Sequence, residues 1–283
     1  MDDGAAKEGA CLAAIAAGGP AVVAFSGGVD SLYLLALAHA ALGEGVLAVT
    51  ADSPSLPRAA LAEARGFTAV RGIRHAVVAT DEFADPAYAA NDGQRCYHCK
   101  SSLMSAIGAL DAHAGAGRVY LGVIADDLGD WRPGMQAARE RGASFPLAEA
   151  GLTKAEVRAR SRARSLPGWD RPAAPCLSSR MPYGEPVTPD GVRMVEAAEA
   201  VLHAAGFPAC RARHHRVGAD ANGAPRGWLC RIEVPASDLP RAVAQAGELA
   251  ARIRAIGYAH VSLDLAGLES GNANRLLGAA ERR

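Results

Sequence analysis

The chain has 283 residues, half of them apolar and 21% charged, and its thirty Lys and Arg balance its thirty Asp and Glu. This composition excludes a disordered chain and supplies enough core for one large or two ordinary domains. It lacks the basic excess of a nucleic-acid binder and any run of the ~18 apolar residues that a membrane span requires. Neither nucleic acid nor membrane is therefore expected as a partner.

The first apolar stretch follows two acids, Asp2 and Asp3, where a secretion signal carries positive charge. It reads as an amphipathic helix of a cytoplasmic protein, whose six cysteines stay reduced. Residues 21–25 (AVVAF) form a continuous apolar run of the kind buried on both faces of a parallel sheet. A glycine-containing loop and an apolar helix over 32–42 follow. Further strands are predicted at 46–51, 76–80 and 119–124, and helices at 57–71, 97–113 and 153–164. The last helix opens on Thr153-x-x-Glu156, a capping box. Strands alternating with helices give an α/β fold, a parallel Rossmann-like sheet covered on both faces, with ligands at the C-terminal strand ends. Those ends are Ser26, Asp52, Asp81 and Asp126.

Six prolines between 165 and 189 exclude long regular elements there. The expected organisation is a first domain over 1–168, a Pro-rich junction over 169–188 and a small α+β domain over 189–283. In the last, a helix over 189–205 precedes strands at 210–217 and 228–234, a helix over 238–256 and a strand at 260–265.

The loop Ser26-Gly27-Gly28-Val29-Asp30-Ser31 between strand and helix suits a phosphate. Its glycines let the backbone approach an anion, and the free amides of the next helix point at it. Ser26 and Ser31 add hydroxyls, and Asp30 is suited to Mg²⁺ beside a phosphate. The loop is not a Walker A sequence. It resembles the hallmark of the PP-loop ATP pyrophosphatases, which implies ATP binding and cleavage to AMP and pyrophosphate. Lys154, in a stretch that also resembles this group, reads either as a phosphate contact or as an exposed first-turn lysine.

Cys96 and Cys99 form a C-x-x-C at a predicted helix start, and Cys176 lies in the Pro-rich junction. Three readings stay open on the residues alone: zinc, which lacks a fourth ligand; a [4Fe–4S] cluster on three thiolates; or an inert pair beside a separate reactive thiol. Arg171 and Arg180 flank Cys176 and favour its thiolate. Cys11, Cys210 and Cys230 fall in regular patterns and read as core. Arg211 and Arg213 alternate on a strand and share a face. Glu196 and Glu199, one helical turn apart, read as a solvent face, with metal or substrate contact as the alternative.

Nearly the whole chain resembles the LarE family of ATP-dependent sulfur transferases of nickel-pincer nucleotide synthesis. The resemblance rests on SGGVDS at 26–31, TADSPSLPR at 50–58, RCYHCK at 95–100, ADDLGDWRPG at 125–134, PCLSSRMPYG at 175–184 and SLDLAG at 262–267. It implies adenylation of a carboxylate of a pyridinium dicarboxylate mononucleotide, followed by sulfur insertion. The implied ATP contacts are Ser26, Gly27, Gly28, Asp30, Ser31, Asp52, Asp126 and Lys154, with Mg²⁺ on Asp30. Substrate contacts are Arg180, Arg211 and Arg213. Sulfur comes either from Cys176 itself or from a [4Fe–4S] cluster on Cys96, Cys99 and Cys176. All three cysteines are present, which favours the cluster branch, and a homo-oligomer is implied. The chain departs from the family in Gly122-Val123-Ile124, where a polar Gly-Thr-Asn is usual, and in the acid Asp52. Two alternatives compete: a tRNA-thiolating PP-loop enzyme using the basic runs at 158–164 and 211–216, and a nucleotide sensor with structural zinc.

Overall fold

The computed structural model describes residues 3–114, 117–172 and 175–269. The chain opens with α1 (Asp3–Gly18), β1 (Ala21–Ala24), α2 (Val29–Leu42), β2 (Val46–Asp52), α3 (Arg58–Val70) and β3 (Arg74–Ala79). It continues through α4 (Pro86–Ala89), α5 (Arg95–Ala114), β4 (Arg118–Leu121), α6 (Pro133–Glu140), α7 (Pro146–Glu149) and α8 (Lys154–Ala163). It then adds α9 (Pro189–Ala204), β5 (Arg211–Ala219), β6 (Pro225–Glu233), α10 (Leu239–Ala244), α11 (Ala246–Arg254) and β7 (His260–Leu263). Two compact units result. Met1–Glu82 with Cys96–Ala174 form the first, and Phe83–Arg95 with Pro175–Arg283 the second.

The first unit is an α/β layer structure on a four-stranded parallel sheet of order β3-β2-β1-β4. Successive strand residues point to opposite faces, so β1 feeds two cores. Ala21, Val23 and Phe25 pack with Ile15, Leu35 and Val157 on one side. Val22 joins Val49, Leu103, Ile107, Leu121 and Phe145 on the other. The chain winds from β1 outward through β2 to β3, then returns to place β4 on the opposite side of β1. The order reverses between β1 and β4, and an open α/β sheet binds its ligands at the strand ends beside that switch point.

The second unit holds a mixed three-stranded sheet, β5-β6 antiparallel and β6-β7 parallel. Ala198 and Leu202 of α9 and Leu249 and Ile253 of α11 share its core with Ala212, Cys230 and Ile232 of the strands. The region predicted as one helix over 238–256 is two, broken at Gln245. The strand predicted at 119–124 ends at Leu121. The Val123 amide turns back to the Leu121 carbonyl at 2.8 Å, and the Ala125 amide crosses to Leu152 at 2.9 Å. No described helix is long and apolar enough to cross a membrane.

Candidate functional site

The loop after β1 is held from below before any ligand arrives. The Phe25 amide donates to Val49 at 2.8 Å, and the Thr50 hydroxyl donates to the Phe25 carbonyl at 2.6 Å. Thr50 also meets His75 Nε2 at 2.8 Å, whose Nδ1 meets the Thr68 hydroxyl at 3.0 Å. Gly27 takes φ +78°, a region that favours glycine. The Ser26 and Ser31 hydroxyls lie 3.1 Å apart; Ser31 Oγ donates to the Gly28 carbonyl at 3.0 Å, and Ser26 Oγ accepts from the Gly28 amide at 3.4 Å. Ser26 and Gly28 are exposed, so this cradle opens at the C-terminal end of β1, against the amino end of α2.

Asp30, in the first turn of α2, is clamped by Lys154, the first residue of α8, whose Nζ reaches both carboxylate oxygens at 2.8 and 2.7 Å. The Lys154 amide donates to Asp126 Oδ2 at 2.8 Å. Thus three residues singled out from sequence, Asp30, Asp126 and Lys154, form one chain of contacts beside the loop. The capping box forms as read: the Thr153 amide and hydroxyl both bond Glu156 at 2.8 Å. Asp52 lies apart from this chain, in an ion pair with Arg58 NH1 at 2.5 Å, while Arg58 also donates to the carbonyls of Ser53 and Leu56. Asp81 is exposed.

Two features escaped the sequence reading. Gly122, just past β4, lies under the loop so closely that a Cβ would come within 2.8 Å of the Ser31 nitrogen. Glu82 is 1% exposed; it accepts a hydrogen bond from the Ser53 hydroxyl, while its Oε2 has no partner. Neither a lone glycine after a strand nor an acid in a loop carries a sequence signal. Ile124, at the position where a polar residue was expected, is 3% exposed and belongs to the core.

Cys96 and Cys99 sit in the first turn of α5, exposed and half-buried respectively. Gly134 packs on this turn, with its missing Cβ 2.9 Å from the Cys96 carbonyl, and the Tyr97 hydroxyl donates to Glu140 at 2.6 Å. In the second unit Cys176 is exposed and caps a short 3₁₀ turn, Leu177–Arg180. Of the two arginines expected to act on its thiol, Arg171 meets Glu63, and Arg180 meets Glu199 at 2.7 Å while donating to the Pro175 carbonyl at 2.8 Å and the Cys176 carbonyl at 3.3 Å. Burial pushes Cys11, Cys210 and Cys230 up to about 12, as inert core thiols require. Among the described residues, no group of three or more His, Cys, Asp or Glu is arranged to hold a metal ion.

Arg180, Arg211 and Arg213 gather in the second unit. Arg213 is 5% exposed; it donates to Glu233 and to the Ser179 carbonyl at 2.9 Å each, and its buried Nε has no partner. Burial and the charges of Arg213 and Arg180 push Arg211 down from its ordinary value. The prediction of a solvent face for Glu199 is corrected, because it is 7% exposed and forms a two-point pair with Arg180. Glu196 is half-buried.

No protein-family model matches the chain. It is 42% identical over 259 residues to the uncharacterized protein slr1717 of Synechocystis sp., covering 91% of this chain and 92% of that one. It is 32% identical over 260 residues to the pyridinium-3,5-bisthiocarboxylic acid mononucleotide synthase of Lactiplantibacillus plantarum, covering 92% of this chain and 90% of the relative. A parallel α/β sheet with a glycine loop at its switch point, matched over 92% of the chain by such a relative, defines the class. The chain belongs to the LarE family, the family of that synthase.

Proposed function

We propose that this chain is an ATP-dependent sulfurtransferase of nickel-pincer nucleotide synthesis. It adenylates a carboxylate of pyridinium-3,5-biscarboxylic acid mononucleotide, releases pyrophosphate and replaces the activated oxygen with sulfur. The observation that carries this reading is the SGGVDS cradle, with the Asp30–Lys154 contact at its mouth, in a chain aligned over 92% of its length with a bisthiocarboxylic acid mononucleotide synthase.

A carboxylate is a poor electrophile because its oxygen is a poor leaving group. Transfer of AMP to that oxygen breaks the α–β phosphoanhydride bond; pyrophosphate departs, and the acyl-adenylate left behind is a mixed anhydride open to a sulfur nucleophile, with AMP as its leaving group. In this scheme the exposed loop amides and the Ser26 and Ser31 hydroxyls bind phosphate oxygens. Lys154 takes the charge of the leaving pyrophosphate. Asp30 provides the hard oxygen donor that fits Mg²⁺; when bound, that ion neutralises the pyrophosphate. Arg211, half-buried with Arg180 and Arg213 beside it, holds the substrate phosphate. Asp52 and Asp126 flank the nucleotide.

Sulfur enters from Cys176, which becomes dehydroalanine, or from a sulfide carried by a [4Fe–4S] cluster. Cys96, Cys99 and Cys176 are the three thiols that would hold such a cluster. When bound, it supplies an open iron for a non-protein sulfide.

The test is pyrophosphate release from ATP by the full chain, with and without the pyridinium mononucleotide. Release that depends on the mononucleotide, with thiocarboxylate in the product, supports the reading; release independent of it overturns the substrate assignment. Intact mass after turnover decides the sulfur source. Cys176 converted to dehydroalanine means sacrifice. An unchanged Cys176, with iron and labile sulfide that a Cys99→Ala variant lacks, means the cluster.

A further inference from the structure

Glu8 lies in α1, outside the residues assigned above to the site, and is 5% exposed. A lone buried carboxylate is costly, yet this one is fully matched. Arg160 donates to it from Nε at 3.0 Å and NH2 at 2.8 Å. Arg164 does the same at 3.1 and 2.8 Å, and the Tyr33 hydroxyl donates at 2.5 Å. Paired arginine forks of this kind are the most directional contacts a carboxylate makes.

The partners lie on two particular helices. Tyr33 sits one turn after Asp30 on α2, the helix that the phosphate loop opens. Arg160 lies on α8, the helix that Lys154 begins, and Arg164 caps its C-terminal end. Arg160 is six residues beyond Lys154, about 9 Å along a helix axis. A second strut runs parallel, from Lys7 of α1 to Glu156 of α8 at 2.7 Å. One carboxylate therefore ties α2 to α8, and at the amino ends of those helices Lys154 pairs with Asp30.

We propose that Glu8 is a positioning residue for phosphate binding, setting the placement of α2 and α8 that brings Lys154 onto Asp30. The inference rests on the assignment of this loop to ATP. A fully satisfied buried polar tie rigidifies the helices it joins and so helps keep a charged pair at their ends in register.

The test is ATP affinity by calorimetry, in the presence of Mg²⁺, for the full chain and the variants Glu8→Gln, Tyr33→Phe, Lys154→Met and Glu8→Gln/Lys154→Met. Tyr33→Phe keeps the arginine forks and cuts only the tie to α2, so it tests the idea even if Glu8→Gln folds poorly. Both single variants at the strut are expected to weaken ATP by about tenfold, within the range of measured couplings between contacting residues. In the Lys154→Met background, Glu8→Gln should add almost nothing, because its route to the ligand has gone. Folded strut variants with parental affinity overturn the proposal, and so does an equal loss in both backgrounds, which marks general destabilisation. A parental chain that fails to bind ATP overturns the assignment of the loop itself.

Discussion

Gly122 shows how one missing atom shapes the candidate site. Its Cβ position lies 2.8 Å from the Ser31 nitrogen and 2.9 Å from the Ser31 Cα, both backbone atoms that cannot rotate away. Gly122→Ala must push the phosphate loop off β4, at a cost of about 1–3 kcal/mol. Urea unfolding should register that loss, and ATP titration should show weaker binding. Thiol reactivity supplies a second residue-level expectation. Exposed Cys96 and Cys176 should be alkylated first by iodoacetamide near pH 8, while Cys11, Cys210 and Cys230, buried and pushed to about 12, stay unmodified in the native protein. Peptide mass mapping at early times checks the order. The three core thiols were legible from their place in regular patterns, and the phosphate loop from its spacing. Gly122 was seen only as part of a departure from the family, because a requirement for close approach lies in three dimensions and leaves a single letter in the chain. The partners of Arg180 and Arg213 were equally invisible, since Glu199 and Glu233 reach them through the fold.

Elements were legible where local chemistry decides them. Short continuous apolar runs located all four strands of the parallel sheet, and Thr153-x-x-Glu156 located the start of α8. The break between α10 and α11 was hidden for a physical reason. Gln245 still donates to Arg241 at 3.2 Å and accepts from Leu249 at 3.0 Å, so the helical hydrogen bonding and its apolar period read straight through the bend. The start of α8 carries its own prediction. Removing the cap with Thr153→Ala should cost about 1 kcal/mol in chemical denaturation. Acid should act on the same helix. Contacts from Lys7 and Thr153 hold Glu156 down at about 2. Burial would raise Glu8, but the bonds from Arg160, Arg164 and Tyr33 outweigh it and drive the carboxyl well below its ordinary range. A carboxyl depressed in the fold adds stability above its unfolded value, about 4.3 for Glu, and loses it as pH falls toward the folded value. Unfolding free energy should therefore drop between pH 4.3 and about 2 for Glu156, with Glu8 extending the fall to lower pH. A Glu156→Gln variant should show a shallower decline over the same window when urea midpoints are compared.

At the scale of the whole molecule, the balance of thirty basic and thirty acidic residues is achieved by internal matching as well as by number. The run at 158–164 reads as a basic strip in sequence, yet Arg160 and Arg164 are spent on Glu8 and Arg158 on the carbonyls of Trp169 and Arg171. Arg162 stacks over Trp169, 5.0 Å from the ring centroid. In the second basic run, at 211–216, Arg213 is buried on Glu233 and Arg216 pairs with Glu185 at 3.2 Å. A tRNA-thiolating enzyme needs cations free to replace counterions along a phosphate backbone. Each such contact steepens the salt dependence of binding, by about 0.7–0.9 in the log–log slope. Arginines paired with carboxylates within the fold, as Arg160, Arg164, Arg213 and Arg216 are, have less charge left to replace counterions when RNA arrives. Fluorescence anisotropy with labelled tRNA should accordingly show weak binding with a slope no steeper than about one or two contacts would give. A slope of six or more would mean that a basic surface exists which these ion pairs do not consume, and would move the substrate from a free mononucleotide to RNA.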